Sequence, residues 1–260
     1  MIDKLNELYD KMTELTEGES TYSPVNIYCN TWGNYNENGA NADSIDGGWK
    51  SLDDAVEWWN KMAEQGEEPF VNDVEINEDI PFEIGEDTNL PEVAEQINDF
   101  MNLDEDEKEI ILAIMEADSE DYSEAKQRYE DGRYIYYNAT NEYDLAQEVI
   151  DSFGSFKEAV GDNLSYYLDE DEISNAIYDD EKNYFYEDHS DEYTDENGDL
   201  DEDAFDEAFE DWFETEMENI MDDPETYLGD NLKDYFDYEA FGNDLSYDYT
   251  ITDHGSIMLD

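Results

Sequence analysis

The chain carries 78 Asp and Glu against 11 Lys and Arg, a net charge of −67 at neutral pH, and any fold it adopts must keep those charges apart. Spread over 260 residues this is about one uncompensated negative charge in four, well beyond what solubility asks of a domain. Self-repulsion opposes one round core, so the expectation is an elongated string of small folded units. A mean hydropathy of −0.92 would ordinarily read as disorder. The 5 Trp, 21 Tyr and 11 Phe argue the other way, because acidic disordered segments are poor in aromatics. A tyrosine ring can pack while its hydroxyl stays wet, which suits thin apolar layers between charged surfaces.

The same charge excludes partners. Nucleic-acid backbones and anionic membranes both require a basic footprint. The chain has no run of eighteen apolar residues and opens without the basic start and apolar core of a signal peptide. Its one cysteine, Cys29, suits a reducing compartment, so a cytoplasmic protein is expected.

Helical periodicity is legible in several places. Leu5, Leu8, Tyr9, Met12 and Leu15 form an N-terminal stripe. Ser51 opens a capping box with Asp54, ahead of Leu52, Ala55, Val56, Trp59, Met62 and Ala63. Pro91 stands at a first helical position before Val93, Ala94, Ile97, Phe100 and Met101, and a further stripe runs from Leu103 through Ile110, Ile111 and Ile114 to Met115. Ala146, Val149, Ile150 and Phe153 end at Gly154, a C-cap residue; Phe156, Ala159, Val160, Leu164, Tyr167 and Leu168 read as the next helix. Strands are expected at Val25–Cys29, Phe70–Ile76 and Tyr134–Tyr137, with a terminal hairpin turning at Asp253-His254-Gly255. The fold class is α+β, helix-dominated, with short antiparallel sheets.

Residues 160–260 hold 36 acids and two bases, Lys182 and Lys233. Within this region Leu200, Ala204, Phe205, Ala208, Phe209, Trp212, Phe213, Met217, Ile220 and Met221 trace an apolar helical stripe. Glu207, Glu210, Asp211, Glu214 and Glu218 fall on its other side. There is also an echo: Gly161–Asp169 matches Gly229–Asp237 at six of nine positions, from either duplication or chance in a biased composition.

Catalytic constellations are absent from this reading. His189 and His254 read as surface or turn residues and Cys29 as a buried thiol. Neither a phosphate loop nor a nucleophile elbow occurs. Asp195, Asn197, Gly198 and Leu200 fit the middle of an EF-hand loop, but Tyr193 and Ala204 would then replace its first ligand and its bidentate glutamate. No enzyme activity, cofactor or specific metal site is expected.

The charge itself suggests a function. B-DNA carries one charge per roughly 1.7 Å of axis, so 67 charges correspond to about 110 Å, or roughly 34 base pairs. Carboxylates three and four apart on a helix stand about 5–6 Å apart at Cβ and can present discrete anions at comparable density. A protein mimic of duplex DNA follows, with Asp169, Asp171, Asp179, Asp180, Glu207, Glu210, Asp211, Glu214 and Glu218 as its expected acidic surface. The bland alternative is general acidity, as in halophile proteins, which economise on the large aromatics abundant here. An acidic chaperone of basic proteins is the alternative from another functional class.

Short motifs point the same way. Tyr235-Phe236-Asp237-Tyr238-Glu239-Ala240-Phe241-Gly242-Asn243-Asp244-Leu245 resembles the "DYEAFxRDL" segment of the ArdA antirestriction proteins. Tyr235, Asp237, Tyr238, Phe241, Asp244 and Leu245 carry that likeness. Ile27-Tyr28, Tyr35-Asn36-Glu37-Asn38-Gly39 and Gly48-Trp49 are similar to the family's opening strand, "YNxG" turn and "G-x-W" element, and Ile80-Pro81-Phe82 with the Leu90–Met115 helices follows in order. The chain departs from the family in residues 1–22, in some 70 residues around 160–230, and at Asn243, where arginine is usual. The resemblance implies an elongated multidomain protein, here divided as a helical extension 1–22, an α+β domain 23–86, a small helical domain 87–130 and an α+β domain 131–260 with the acidic insertion. It further implies a dimer whose acidic surface imitates bent B-DNA. Such proteins occupy type I restriction–modification enzymes and travel on plasmids, transposons and phages. Another DNA-binding defence complex, such as a CRISPR effector, is the alternative target.

Overall fold

The computed structural model describes residues 23–39 and 48–260. The N-terminal stripe from Leu5 to Leu15 lies outside the described residues. Two compact units make up the chain, Met1–Lys108 and Glu109–Asp260. The division falls inside the segment 87–130 that the sequence reading set apart as a helical domain.

In the first unit, strand β1 (Val25–Thr31) is central to an antiparallel sheet, with β2 (Gly48–Ser51) on one side and β3 (Pro69–Ile76) on the other. Val25, Ile27 and Cys29 alternate inward along β1, as a sheet covered on one face requires. Helix α1 (Trp32–Asn38) follows β1 directly and ends at Gly39, φ 71°. The Tyr35–Gly39 segment expected as a turn is therefore a short helix closed by a left-handed glycine. Helix α2 (Leu52–Glu64) starts as its capping box predicts, with Ser51 Oγ accepting the Asp54 N–H at 3.3 Å. Its inward residues are Leu52, Ala55, Trp58 and Met62; Trp58 rather than Trp59 takes the core position, and Ala63 is exposed. Helix α3 (Leu90–Met101) completes the layer through Leu90, Ala94 and Ile97. Helix α4 (Glu105–Asp118) opens with a reciprocal capping box: Asp104 accepts the Glu107 N–H at 2.9 Å and Glu107 accepts the Asp104 N–H at 3.0 Å.

The second unit has its own three-stranded antiparallel sheet, in the order β4 (Tyr134–Tyr137), β6 (Gly255–Leu259), β5 (Thr250–Thr252). The terminal hairpin stands as expected, with Thr252 opposite Gly255. Gly255 has φ 134°, and a Cβ there would come within 2.7 Å of the Tyr137 carbonyl oxygen, so the turn admits little else. Helix α5 (Tyr122–Asp131) precedes the sheet, and helix α6 (Glu142–Phe153) ends at Gly154, φ 82°.

The helix expected over Phe156–Leu168 is broken. Helix α7 (Phe156–Val160) stops at Gly161, φ 73°, and residues Gly161–Tyr167 wind as a 3-10 turn. Left-handed backbone at Gly161 ends the helical hydrogen-bond ladder although the apolar period continues past it. Helix α8 (Glu170–His189) and helix α9 (Glu202–Asp222) follow as an antiparallel hairpin. The second copy of the echo then repeats the first in space. Helix α10 (Pro224–Leu228) stops at Gly229, φ 52°; a 3-10 turn over Gly229–Asn231 and helix α11 (Leu232–Tyr235) lead to an extended Phe236. Asp237 then caps helix α12 (Tyr238–Leu245), as Asp169 caps α8. The two copies touch through equivalent positions: Leu168 and Phe236 form an antiparallel bridge, and the Asp237 N–H donates to the Tyr167 carbonyl at 2.7 Å. Pairing of like with like, antiparallel, is the arrangement of a local two-fold.

The acidic segment 160–230 is not an appended tail. Phe205, Phe209, Phe213, Met217 and Ile220 of α9 join Leu145, Val149 and Ile150 of α6 and Phe241 of α12 in one continuous apolar cluster. Helix α12 lies so close to α6 that a Cβ on Gly242 would sit 2.0 Å from the Glu142 carbonyl oxygen.

Candidate acidic interaction surface

The α8–α9 hairpin is zipped by aromatic rings. Tyr178 meets Phe209 and Phe213 edge-on with centroids 5.2 Å apart, and Phe185 lies 5.4 Å from Phe205 and 5.3 Å from Trp212. Such offset and edge arrangements add to the gain from burial alone. This seam also consumes the one lysine of the hairpin. Lys182 Nζ is 2.9 Å from Asp206 and lies over the rings of Tyr178 and Phe209 at 6.0 and 5.6 Å. Its hydrogen bond to Asp206 raises its pKa, keeping it charged.

The nine acids expected on the surface are all exposed, but they do different things. Asp169 is the N-cap of α8, accepting the Glu172 N–H at 3.0 Å, and Asp171 lies in the first turn, where the helix dipole favours it. Asp179 and Asp180 stand mid-helix, and the charge of Asp180, after burial and Glu216, helps raise the pKa of Glu181. Glu210 is turned toward the seam, accepting the Tyr178 hydroxyl. The remaining four, Glu207, Asp211, Glu214 and Glu218, fall at i, i+4, i+7 and i+11 of α9. They form a single row over about 16 Å of helix, set by a rise of 1.5 Å per residue.

The family-like segment is structural in this chain. Asp237 caps α12 by accepting the Ala240 N–H at 2.9 Å, and Phe241 is buried. Tyr238 packs on Phe236 at 5.0 Å and on Tyr143 at 5.2 Å, while Tyr235 and Leu245 are half-buried against the same cluster. Asp244 accepts the Tyr167 hydroxyl at 2.5 Å. Burial first, then this bond, pushes the Tyr167 phenol up to about 12. Since an unfolded tyrosine titrates near 10, the folded state holds this proton longer. The protonated Tyr167, buried and bonded to Asp244, therefore contributes fully below about pH 10, and that contribution is lost as pH rises through about 12. Tyr167→Phe should accordingly lose less stability than the parent between about pH 9 and 12, measured by urea midpoints at each pH. An identical fall in both chains would show that folding does not hold the Tyr167 proton.

Cys29 lies in β1, His189 ends α8 and His254 stands between β5 and β6. Cys29 is fully buried, and burial pushes its thiol up to about 12. His254 sits in the β5–β6 turn, its Nδ1 2.9 Å from Glu109. In the Asp195–Asp199 loop the Asp195 carboxylate accepts the N–H groups of Asn197 and Asp199 at 2.8 and 3.0 Å, and these bonds lower its pKa. Among the described residues no group of three or more His, Cys, Asp or Glu is placed to hold a metal, and no helix is long and apolar enough to cross a membrane.

Sequence reasoning did not single out the exposed tyrosines set among the acids: Tyr166, Tyr184, Tyr186 and Tyr247. Their signal was the tyrosine excess itself, more than the apolar stripes could absorb. Compared with protein-family models and with curated proteins, the chain matches none.

Proposed function

We propose that the protein is a non-enzymatic mimic of duplex DNA that occupies the DNA-binding groove of a restriction–modification enzyme, a type I enzyme first, inside the host cell. The observation that carries this reading is the division of labour in the α8–α9 hairpin. Its lysine is spent within the seam, while Glu207, Asp211, Glu214 and Glu218 stand in a row on an aromatic-packed helix. A charge held on a rigid element is pre-organised, so little ordering entropy is lost when a basic groove closes on it. One charge per roughly 5 Å along this row approaches the 3.4 Å axial spacing of one B-DNA strand, and neighbouring acids of α8 add to the field. The motif resemblance to ArdA proteins supports the same class of target.

A mimic must compete with what it imitates. With a type I restriction–modification enzyme and a fluorescent duplex carrying its site, this protein should displace the duplex fully, with affinity falling as salt rises. Association should be fast at low ionic strength through electrostatic steering. A ternary complex of enzyme, duplex and this protein at full occupancy overturns the proposal.

A further inference from the structure

Among the described residues Tyr166 is 84% exposed, more than every other tyrosine but Tyr247. It stands on the 3-10 turn of the first repeat, between two clefts that share it. One, of about 590 Å³, continues over Asp169 and Glu170 to Asp234 and Tyr235 of the second repeat. The other, of about 490 Å³, is lined by Met221 and by Glu170, Glu218 and Asp222 together with Tyr166. The backbone does not require an aromatic here. The corresponding position of the second copy, 68 residues on, is Asp234, which lies in the short helix Leu232–Tyr235 and leads to the Asp237 cap as Tyr166 leads to the Asp169 cap. An aromatic ring left in water, on clefts that a thioether and carboxylates also line, costs hydration without stabilising the fold.

From this arrangement we infer that the groove around Tyr166 is a docking site for an arginine side chain on a basic segment of a protein partner. This rests on the reading of the acidic face as a protein-binding surface and names the contact that gives it selectivity. Charge complementarity fixes the sign of the occupant, because the rim holds carboxylates and no base. Geometry favours arginine over lysine. The planar, weakly hydrated guanidinium can stack on a phenol ring and at the same time present paired N–H donors to a carboxylate. Lysine's ammonium is compact and strongly hydrated, so it gains from the rim charge but little from the ring. Plain acidity attracts both; the ring distinguishes them.

The test titrates the full chain with nona-arginine and nona-lysine peptides at moderate salt, reading both dissociation constants by calorimetry. The parent should prefer arginine by about fivefold to tenfold, the order expected of one partly desolvated cation–π contact. Tyr166→Ala should bring that preference close to one with nona-lysine binding unchanged, and Tyr166→Phe should keep it. Tyr247→Ala, at an 88% exposed tyrosine lining neither cleft, should also keep it. A preference that survives in Tyr166→Ala overturns the groove. Converting Glu207, Asp211 and Glu214 to lysine, outside both clefts, probes the underlying reading separately: both peptides should then bind more weakly. Unchanged binding of both peptides to that triple variant overturns the acidic-surface reading and the groove with it.

Discussion

Phe209→Ala is expected to remove a large part of the stability of the Glu109–Asp260 unit. Phe209 is fully buried and its ring meets Tyr178, Phe185, Phe213 and Trp212 within 6.1 Å. Deleting a buried phenylalanine costs roughly 3–5 kcal/mol in transfer and cavity energy together. Domains are stable by only about 5–15 kcal/mol, and this one also carries strong self-repulsion. The loss should fall at the upper end because the surrounding rings are rigid plates that cannot collapse into the space, and because Lys182 loses one of its two aromatic faces. Urea unfolding followed by the far-UV circular dichroism of the helices reads it in every variant. Trp212→Ala should cost less, since Trp212 is only half-buried. A midpoint shift worth under about 1 kcal/mol for Phe209→Ala would mean that the aromatic seam does not hold the hairpin together.

The parts of this fold that were legible in the sequence are those decided within one or two helical turns. Ser51 with Asp54, Pro91 and Gly154 mark helix ends through hydrogen bonds or dihedral preferences that involve only near neighbours. The apolar period of α9 was readable because five side chains, from Phe205 to Ile220, are buried along one stripe. Helix α8 carries only two fully buried residues, Ile173 and Phe185, over 20 positions, so it left no stripe to read. Its helicity comes from the Asp169 cap, acids in the first turn and the aromatic partner across the seam. The sequence reading takes Trp59 as the inward residue in place of Trp58 because adjacent helical positions lie about 100° apart and both border the apolar arc.

The candidate surface divides in the same way. That Glu207, Asp211, Glu214 and Glu218 share a face follows from spacing alone. That Glu210 does not belong with them depends on Tyr178, 32 residues away in sequence. The family-like segment stands out in the sequence only for its motif; its part in capping and seating α12 rests on contacts with Tyr143, Tyr167 and Phe236 that no local spacing shows. In the echo, Gly161 and Gly229 were a shared signal for a helix break, hidden because the apolar spacing continues across Gly161.

Reversing Glu207, Asp211, Glu214 and Glu218 to lysine should abolish inhibition while leaving the protein folded. All four side chains are exposed and none is the cap of a helix, so nothing in the core depends on them. Lysine forms helix as well as glutamate and better than aspartate, so helicity should hold. Relief of like-charge repulsion should keep the melting temperature level or raise it. Leaving Glu210 untouched preserves the Tyr178 bond and avoids a second cation beside Lys182. At the target each reversal replaces an attraction worth up to about 1 kcal/mol by a repulsion of similar size. Four such sites should weaken binding by a hundredfold to a thousandfold or more, at about 1.4 kcal/mol per tenfold. The control carries the same eight-unit swing elsewhere, in the exposed Glu57, Glu64, Glu86 and Glu95. If position matters, that control should compete with DNA nearly as well as the parent, whereas an acidic chaperone, sensing only net charge, would lose equally in both. Equal loss in the two variants would therefore favour the chaperone. Full inhibition by the α9 variant, with native circular dichroism, would move the mimic surface off this helix.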